Sequence, residues 1–267
     1  MPNRTKPWFI LKLPPAATNN GDNPSPTVFL TAEWRFLALL NFEIEPAILQ
    51  PHIPTGTELD FWNGKALVSI VGFLFQNTRV RGISIPFHRH FEEVNLRFYV
   101  RRKTAEGWRR GVVFIRELVP RCAIAWTART FYNEPYLALP MSHCIEKTTD
   151  SPEKIKSAAY FWRFKGKENF VRLTTRGAAQ SLQEHSEAEF ITEHYWGYTA
   201  QRDGSTLEYQ VEHPRWRVWD AAAAELHCDI AGLYGEKFCP ALQASPASAF
   251  LAEGSPVKVY AGVRLKS

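Results

Sequence analysis

The segment Glu93–Tyr99 contains the residue types best suited to binding or catalysis. It reads Glu-Val-Asn-Leu-Arg-Phe-Tyr, so polar and apolar side chains alternate as they do along a β-strand. Glu93, Asn95, Arg97 and Tyr99 therefore share one face, with neighbouring side chains about 7 Å apart. That face suits either bulk solvent, the commoner case, or a polar-lined cavity, in which an arginine and a glutamate can bind a small carboxylate or amide.

Further charged and phenolic residues follow at the ends of apolar segments. Arg116 and Glu117 close one such segment, Arg129 lies in the next, and Tyr132 and Tyr136 come shortly after it. Charged residues at strand ends are usually solvated. If they are buried instead, they must pair with one another, and their pKa values shift.

His194 is the histidine best placed for acid–base chemistry. It alternates with Phe190, Thr192 and Trp196, which makes it part of the more apolar face of a predicted strand. A histidine in that setting is more often a buried core residue than a catalyst. Its ordinary pKa near neutrality nevertheless suits proton transfer, so we keep it as a catalytic candidate beside Glu93.

A possible metal site lies just before the polar strand. His88, His90 and Glu92 share one face if their segment is extended, and they formally offer two imidazoles and a carboxylate. Pro86 indicates a loop instead, at the surface or gating a substrate site. The sequence also contains no phosphate-binding glycine loop, dinucleotide fingerprint, nucleophile elbow or zinc-protease motif. We therefore expect no metal and no cofactor.

Composition and charge restrict the partners. The 267 residues are 45% hydrophobic and 22% charged, and 32 basic against 27 acidic residues give a net charge of +5. Positive charge is interspersed with negative charge, unlike a nucleic-acid-binding surface, and no apolar run is long enough to span a bilayer. The basic segment 101–110 suits an anionic polymer or, equally, a solvated hairpin tip that discourages strand aggregation. We expect neither nucleic acid nor membrane as a partner.

The cysteines and the N-terminal segment indicate the compartment. Four widely spaced cysteines without a zinc-binding pattern favour reduced thiols, and residues 1–27 have the composition of a flexible arm rather than of an export signal. We expect a cytoplasmic protein. Residues 28–267 are predicted to form one domain, with the polar stretch 148–156 as the best candidate for a boundary.

Strand patterns dominate the chain and define the frame that must position these residues. Three segments favour helix instead: 31–40, a single turn at 45–50, and 220–233, where Asp220 caps a run of alanines. Turn-forming residues, including those at 254–256, recur between short strands, which favours an antiparallel barrel or two packed sheets. The predicted fold class is α+β, predominantly β. The predicted strands are 66–75, 94–100, 111–118, 122–131, 170–175, 187–199, 206–212 and 257–265.

Four strings of residues together resemble a known family. They are Glu33–Arg35, Pro54–Asp60, Phe91–Val100 and Glu193–Trp196, and the similarity spans Phe29–Leu265. The family is the uncharacterised, mainly bacterial domain of unknown function 2071, which resembles a distant branch of the acetoacetate-decarboxylase-like superfamily. The fold implied by that resemblance is a mostly antiparallel barrel that encloses a pocket with few peripheral helices. The resemblance therefore favours the cavity interpretation of the Glu93 face, and it makes a homo-oligomer a possible assembly.

The same resemblance argues against the superfamily's best-known reaction. Acetoacetate decarboxylase uses a lysine Schiff base, whose amine pKa is lowered by an adjacent cation. Phe91–Glu93 matches its aromatic-x-Glu strand start, which makes Glu93 the counterpart of a pocket carboxylate, and Arg129 alone matches its Gly-Arg-Glu string. Tyr136 and Leu137 stand where its two lysines belong, so no imine can form there, and no other lysine is marked for that role.

These observations lead to one main hypothesis with three alternatives. The main hypothesis is a protein that binds a small organic acid or related metabolite, with Arg97 and Arg129 holding the anion and Glu93 orienting it or transferring a proton. The alternatives are a cofactor-free lyase, isomerase or hydrolase using Glu93 or His194 as acid or base, a structural or interaction protein with a vestigial cavity, and a binder of anionic polymers. The remaining predicted ligand-binding residues are Asn95, Tyr99, Arg116, Glu117, Tyr132 and Tyr136.

Overall fold

The computed structural model describes residues 27–120, 133, 135–148 and 151–265. Within them, fourteen strands and four short α-helices follow one another. The strands are β1 Val28–Ile44, β2 Glu58–Leu59, β3 Ala66–Val80, β4 Phe91–Thr104, β5 Gly107–Val119, β6 Tyr136–Ala138, β7 Met141–Thr148, β8 Ser151–Phe164, β9 Lys167–Ser181, β10 Trp196–Ala200, β11 Thr206–Glu212, β12 Arg217–His227, β13 Ser248–Tyr260 and β14 Val263–Leu265. The helices are Pro46–Leu49, Glu187–Thr192, Ile230–Tyr234 and Cys239–Leu242, with 3-10 turns at Gln50–His52 and Glu236–Phe238.

The strands form one sheet that closes on itself. Its order is β14-β11-β10-β5-β4-β3-β1-β13-β12-β9-β8-β7, and β11 also pairs with β13. This second pairing, between Val211 and Val259, joins β1, β3, β4, β5, β10, β11 and β13 into a closed ring. Strands β12, β9, β8 and β7 extend from β13 as an antiparallel layer. The protein is therefore mostly β, with a ring-like sheet.

The outer layer packs against the outside of the ring. Gly72 of β3 permits this approach, because a Cβ atom at that position would lie 2.5 Å from the ring of Tyr160 on β8. The phenol of Tyr160 in turn donates to the backbone carbonyl of Phe36, at 2.7 Å. One hydrophobic cluster lies between the two layers, and a second lies inside the ring. Strand β3 is thus buried on both faces, as its nearly continuous apolar run predicts.

Two of the predicted helices are wrong. Residues 31–40 lie within β1, and residues 220–227 lie within β12, which ends before the helix Ile230–Tyr234. The alanines of β12 pair with β9, with Ala221 opposite Thr175 and Ala224 opposite Leu173. The intrinsic preference of alanine for helix is below about 1 kcal/mol per residue, so a ladder of backbone hydrogen bonds to a neighbouring strand overrides it.

One predicted strand and one predicted turn differ in the structure. The segment 187–199 divides into the helix Glu187–Thr192, capped by the Ser186 side chain accepting from the Glu189 amide, and strand β10. The predicted turn at 254–256 lies inside β13, where Gly254 has a φ of +78° and a Cβ atom would lie 2.0 Å from the Trp34 carbonyl oxygen. The predicted strand 122–131 lies outside the described residues. The helical turn at 45–50 and the strands over 66–75, 94–100, 111–118, 170–175 and 206–212 are confirmed.

Candidate functional site

A cavity of about 320 Å³ lies inside the ring of strands. All seven strands of the ring contribute to its lining, together with His194, Tyr136 and the loop between β3 and β4. Aromatic and aliphatic side chains make up most of the wall. The polar side chains that line it are Thr78, His88, Glu93, Asn95, Arg97, Glu117 and His194, together with the phenols Tyr136, Tyr209 and Tyr260.

An acidic cluster occupies one part of this wall. Glu93, Asn95 and Glu117 are each only 2% exposed, although all three are polar. The Asn95 amide donates to Glu93 Oε1 at 3.0 Å, and the Tyr136 phenol donates to Glu93 Oε2 at 3.3 Å. Strand pairing places Glu117 opposite Asn95 on one side and beside Tyr136 on the other. Four predicted residues from three separate segments, Glu93, Asn95, Glu117 and Tyr136, therefore meet inside the cavity.

Arg97 lies two residues further along β4 and also lines the cavity. Its Nη2 atom donates to the backbone carbonyl of Ile191 at 3.2 Å, whereas its Nε atom is buried without a hydrogen-bond partner. No carboxylate in the described part of the chain lies within ion-pair distance of this guanidinium. Arg97 is thus a half-buried cation with no counter-ion among the described residues.

The arginines of the β4–β5 hairpin behave differently, because each has a carboxylate partner. Arg102 and Arg109 both bind Glu208, at 3.1 Å and 2.7 Å. Arg110 binds Asp60 at 2.6 Å, and Arg101 binds Glu58 at 2.7 Å. The basic segment is therefore largely neutralised by ion pairs within the protein. This pairing argues against a surface built for anionic polymers.

His194 also lines the cavity and is a buried, neutral imidazole. Its side chain is 2% exposed, and burial lowers its pKa to about 4. The ring packs against Tyr99 and Phe190, with centroid distances of 4.7 Å and 5.4 Å. Its Nε2 atom is 3.7 Å from Asp60 Oδ2. Burial raises the pKa of Asp60, but the nearby His194 imidazole and the hydrogen-bonded Arg110 guanidinium outweigh burial and lower it overall.

Tyr99 shares the face of Glu93 but begins a separate hydrogen-bonded chain. Its hydroxyl lies 2.5 Å from Ser69 Oγ, which donates to Asn41 Oδ1 at 2.6 Å. The Asn41 amide donates to Ser248 Oγ at 2.9 Å, and Ser248 donates to Glu187 at 2.5 Å. This buried chain crosses β4, β3, β1 and β13 and ends on the helix that precedes His194. Tyr99 itself does not line the cavity, and the hydrogen-bonded chain that it begins supports the strands that do.

Some predicted site residues lie elsewhere. Arg116 pairs with Leu96, on the side of the sheet that faces the outer layer. Burial raises the pKa of the Tyr234 phenol, and the positive charge of Arg116 partly opposes that rise. Arg116 and Glu117 are successive residues of β5 and pair with the successive residues Leu96 and Asn95, so their side chains point to opposite faces of the sheet. Arg129 and Tyr132 lie outside the described residues.

The histidine-rich loop shows no metal geometry. His88 lines the cavity, but its Nδ1 atom is 2.8 Å from the Pro86 carbonyl oxygen, and Glu92 pairs with His143 at 2.7 Å. Within the described residues, no three His, Cys, Asp or Glu side chains come together as metal ligands. In the same part of the chain, no helix has both the length and the hydrophobicity needed to cross a bilayer.

Sequence reasoning did not identify Asp60 and Arg110 as site residues. Asp60 ends one of the four strings that resemble the family, and Arg110 lies in the basic segment interpreted as an anionic-polymer surface or a hairpin tip. The pairing of these two residues beside His194 depends on the approach of the segment before β3 to the β4–β5 hairpin, where the Asp60 amide donates to the Tyr99 carbonyl at 3.0 Å. A lone aspartate in a turn-rich segment carries no local signal of that contact.

The fold identifies the class of protein. Acetoacetate decarboxylase from Legionella pneumophila superposes with a TM-score of 0.62 at 14% identity, covering 97% of this chain and 93% of its own. An acetoacetate decarboxylase-like enzyme from Sphingomonas wittichii RW1 gives 0.63 at 13% identity, covering 94% and 99%. The enduracididine biosynthesis enzyme MppR, solved with pyruvate, gives 0.61 at 10% identity, covering 91% and 92%. The protein has an acetoacetate-decarboxylase-like fold.

The chain belongs to the family named domain of unknown function 2071, described as an uncharacterized conserved protein, whose sequence profile matches residues 31–256. The uncharacterized protein YqjF of Bacillus subtilis (strain 168) is 30% identical over 193 residues, which are 71% of this chain and 75% of YqjF. The family membership and the superfamily likeness predicted from the sequence are confirmed.

Proposed function

We propose that the protein binds a small organic acid or a related metabolite in this cavity. The observation that carries the proposal is the half-buried guanidinium of Arg97, which lines the cavity without a carboxylate partner among the described residues. Removing a charge from water is unfavourable unless an opposite charge compensates it. A ligand carboxylate supplies that charge through the bidentate geometry that guanidinium groups favour. In this proposal the ring of strands is a β-barrel that encloses the ligand.

The acidic cluster orients the ligand in this proposal. Glu93 and Asn95 face the same cavity as Arg97, four and two residues away along one strand, and Tyr136 holds Glu93 by a hydrogen bond. Arg129 and Tyr132 are further predicted ligands from the sequence. The cavity volume of about 320 Å³ argues against the alternative in which aromatic side chains fill a vestigial interior.

The binding proposal is tested by isothermal titration calorimetry with a panel of monocarboxylates from pyruvate to phenylpyruvate. We expect Arg97→Gln to weaken the binding of every acid that binds, by about tenfold or more, because an ion pair within a cavity is lost. Arg163→Gln is the matched control, since Arg163 is an exposed residue of β8. Equal affinities for wild type and Arg97→Gln, or no binding of any acid to the wild type, would contradict the proposal.

We also propose that the protein does not decarboxylate acetoacetate by Schiff-base chemistry. Two facts support this. None of the described residues that line the cavity is a lysine, and Tyr136 presents a phenol where the resemblance implies a reactive amine. The test is borohydride reduction in the presence of acetoacetate or pyruvate, followed by intact-mass measurement. We expect no added mass. A stable adduct mapped to a lysine would overturn this part of the proposal.

Acid–base catalysis is the second candidate, and the position of His194 favours it. This neutral imidazole lines the same cavity as the Glu93 carboxylate, and neither of its ring nitrogens has a hydrogen-bond partner among the described residues. One of these groups can serve as a base for a proton next to a carbonyl. The test is exchange of the C3 protons of pyruvate with D2O, followed by proton NMR. If the wild type exchanges these protons and Glu93→Gln still binds pyruvate but no longer exchanges them, the result supports catalysis. If the wild type binds pyruvate without exchange, the result supports a binding protein.

A further inference from the structure

The cavity has an aromatic wall that a small polar acid does not use. Trp34 packs edge-on against Phe73 and Phe75, with centroid distances of 5.6 Å and 6.0 Å. Phe75 stacks on Phe91, at 4.6 Å and an interplanar angle of 14°. All four rings line the cavity and come from the adjacent strands β1, β3 and β4. They form a continuous apolar surface inside the ring.

Aliphatic side chains continue this surface around the cavity. More than half of the described lining residues carry only hydrocarbon, phenyl or indole side chains. Apolar surface of this kind gains about 25 cal/mol for each Å² that a ligand removes from water. A volume of about 320 Å³ also lies in the range of sites that hold drug-sized ligands, about 300–1,000 Å³. The aliphatic members of the wall include Leu30, Leu37, Val71, Val80, Val112 and Val211.

The strand register separates the charged and aromatic parts of the wall. Arg97 lies opposite Ser69 and Phe91 lies opposite Phe75, so the backbone positions of Arg97 and Phe91 are six residues apart along β4. At about 3.3 Å per residue, this separation is about 20 Å along the strand. Glu93 lies about 13 Å from Arg97 on the same scale. An acid of two or three carbons bound at Arg97 does not reach the aromatic wall.

We infer that the ligand is a hydrophobic monocarboxylic acid, with an aryl or medium-chain hydrocarbon part. This inference rests on the proposed function, because it places the carboxylate at Arg97. The hydrocarbon part lies against Val71 and Val112 and reaches toward the rings of Phe73, Phe75 and Phe91. Any further polar group of the acid lies at the level of Glu93 and Asn95.

The experiment is a chain-length series measured by isothermal titration calorimetry. Straight-chain carboxylates from propanoate to decanoate are titrated below their micelle concentrations at one pH and ionic strength, with octanamide as the uncharged analogue of octanoate. Each added methylene group that becomes buried is expected to tighten the Kd about fourfold until the cavity is filled. Octanamide is expected to bind to the wild type at least tenfold more weakly than octanoate. In Arg97→Gln, the two ligands are expected to bind with similar affinity.

The outcomes separate the inference from the proposed function. A Kd that does not change with chain length, while Arg97→Gln still weakens the short acids, overturns the inference and leaves the proposed function standing. Octanamide binding as tightly as octanoate overturns the proposed anion site itself.

A second pair of variants tests the aromatic wall. Phe91→Leu is expected to weaken the binding of 8-phenyloctanoate, whose chain is long enough to carry its ring from Arg97 toward Phe91, about threefold to tenfold, because an aromatic contact in the cavity is lost. Phe61→Leu is the matched control, since Phe61 is 43% exposed and does not line the cavity. If both variants bind 8-phenyloctanoate like the wild type, the aromatic wall does not contact the ligand and the inference is wrong.

Discussion

The burial of His194 predicts a specific loss of stability on acidification. The pKa of this imidazole is about 4 in the native protein, against about 6.5 in the unfolded chain. The unfolded chain therefore binds a proton between these two values and the native protein does not, so stability falls as the pH falls through this window. Linkage gives a loss of about 2 kcal/mol between pH 7 and pH 4.5, and a limiting loss of about 3 kcal/mol below pH 4.

The assay is urea denaturation at several pH values for the wild type and for His194→Phe. The phenyl ring fits beside Tyr99 and Phe190 but cannot bind a proton, so the variant is expected to lose about 2 kcal/mol less stability between pH 7 and pH 4.5. His227→Asn, at an exposed position of β12, is the control and is expected to keep the wild-type slope. His213 is also buried, and burial lowers its pKa as well. Its contribution to the pH dependence of stability is the same in all three proteins. Identical slopes for His194→Phe and wild type would refute the reasoning.

Two further substitutions test the framework around the site. Asn41→Ala removes the hydrogen bonds to Ser69 and Ser248, so we expect the free energy of unfolding to fall by about 2 kcal/mol and Tm to fall by about 4–8 °C. Urea and thermal denaturation measure these changes, and a loss below about 0.5 kcal/mol would show that the buried chain does not contribute to stability. Gly197→Ala places a Cβ atom 2.1 Å from the Tyr209 ring, so we expect that ring to move and the free energy of unfolding to fall by about 1–3 kcal/mol. An unchanged Tm together with an unchanged near-ultraviolet circular dichroism spectrum would contradict the clash.

Periodicity predicted most of the strands and failed where the decisive interaction is distant in sequence. The alternation at 94–100 and the apolar run at 66–75 describe burial along a strand, and both segments form strands in the protein. Residues 220–227 have a local preference for helix, but their partner is β9, about fifty residues earlier in the chain. Local propensity contains no information about that partner, so the helix prediction was wrong.

The candidate site was predictable in part for the same reason. One strand sufficed to place Glu93, Asn95 and Arg97 on a common face, because period 2 is a local property. The same period excludes Arg116 from the cavity, since it is adjacent to Glu117 in β5 and the two side chains must point to opposite faces; the prediction that both bind the ligand was wrong for Arg116. The contact between Asp60 and His194 joins segments more than a hundred residues apart and depends on the whole fold.

The two-sided burial of β4 explains why its alternation alone could not decide between solvent and cavity. In a sheet with one wet face, the polar residues mark the outside. Here Val94, Leu96 and Phe98 lie under the outer layer of β8 and β9, so the apolar face of the strand points away from the ring interior. The interior is then the face left for Glu93 and Arg97. The outer layer therefore allows polar residues to be placed inside the ring, where the proposed binding of an organic acid requires them.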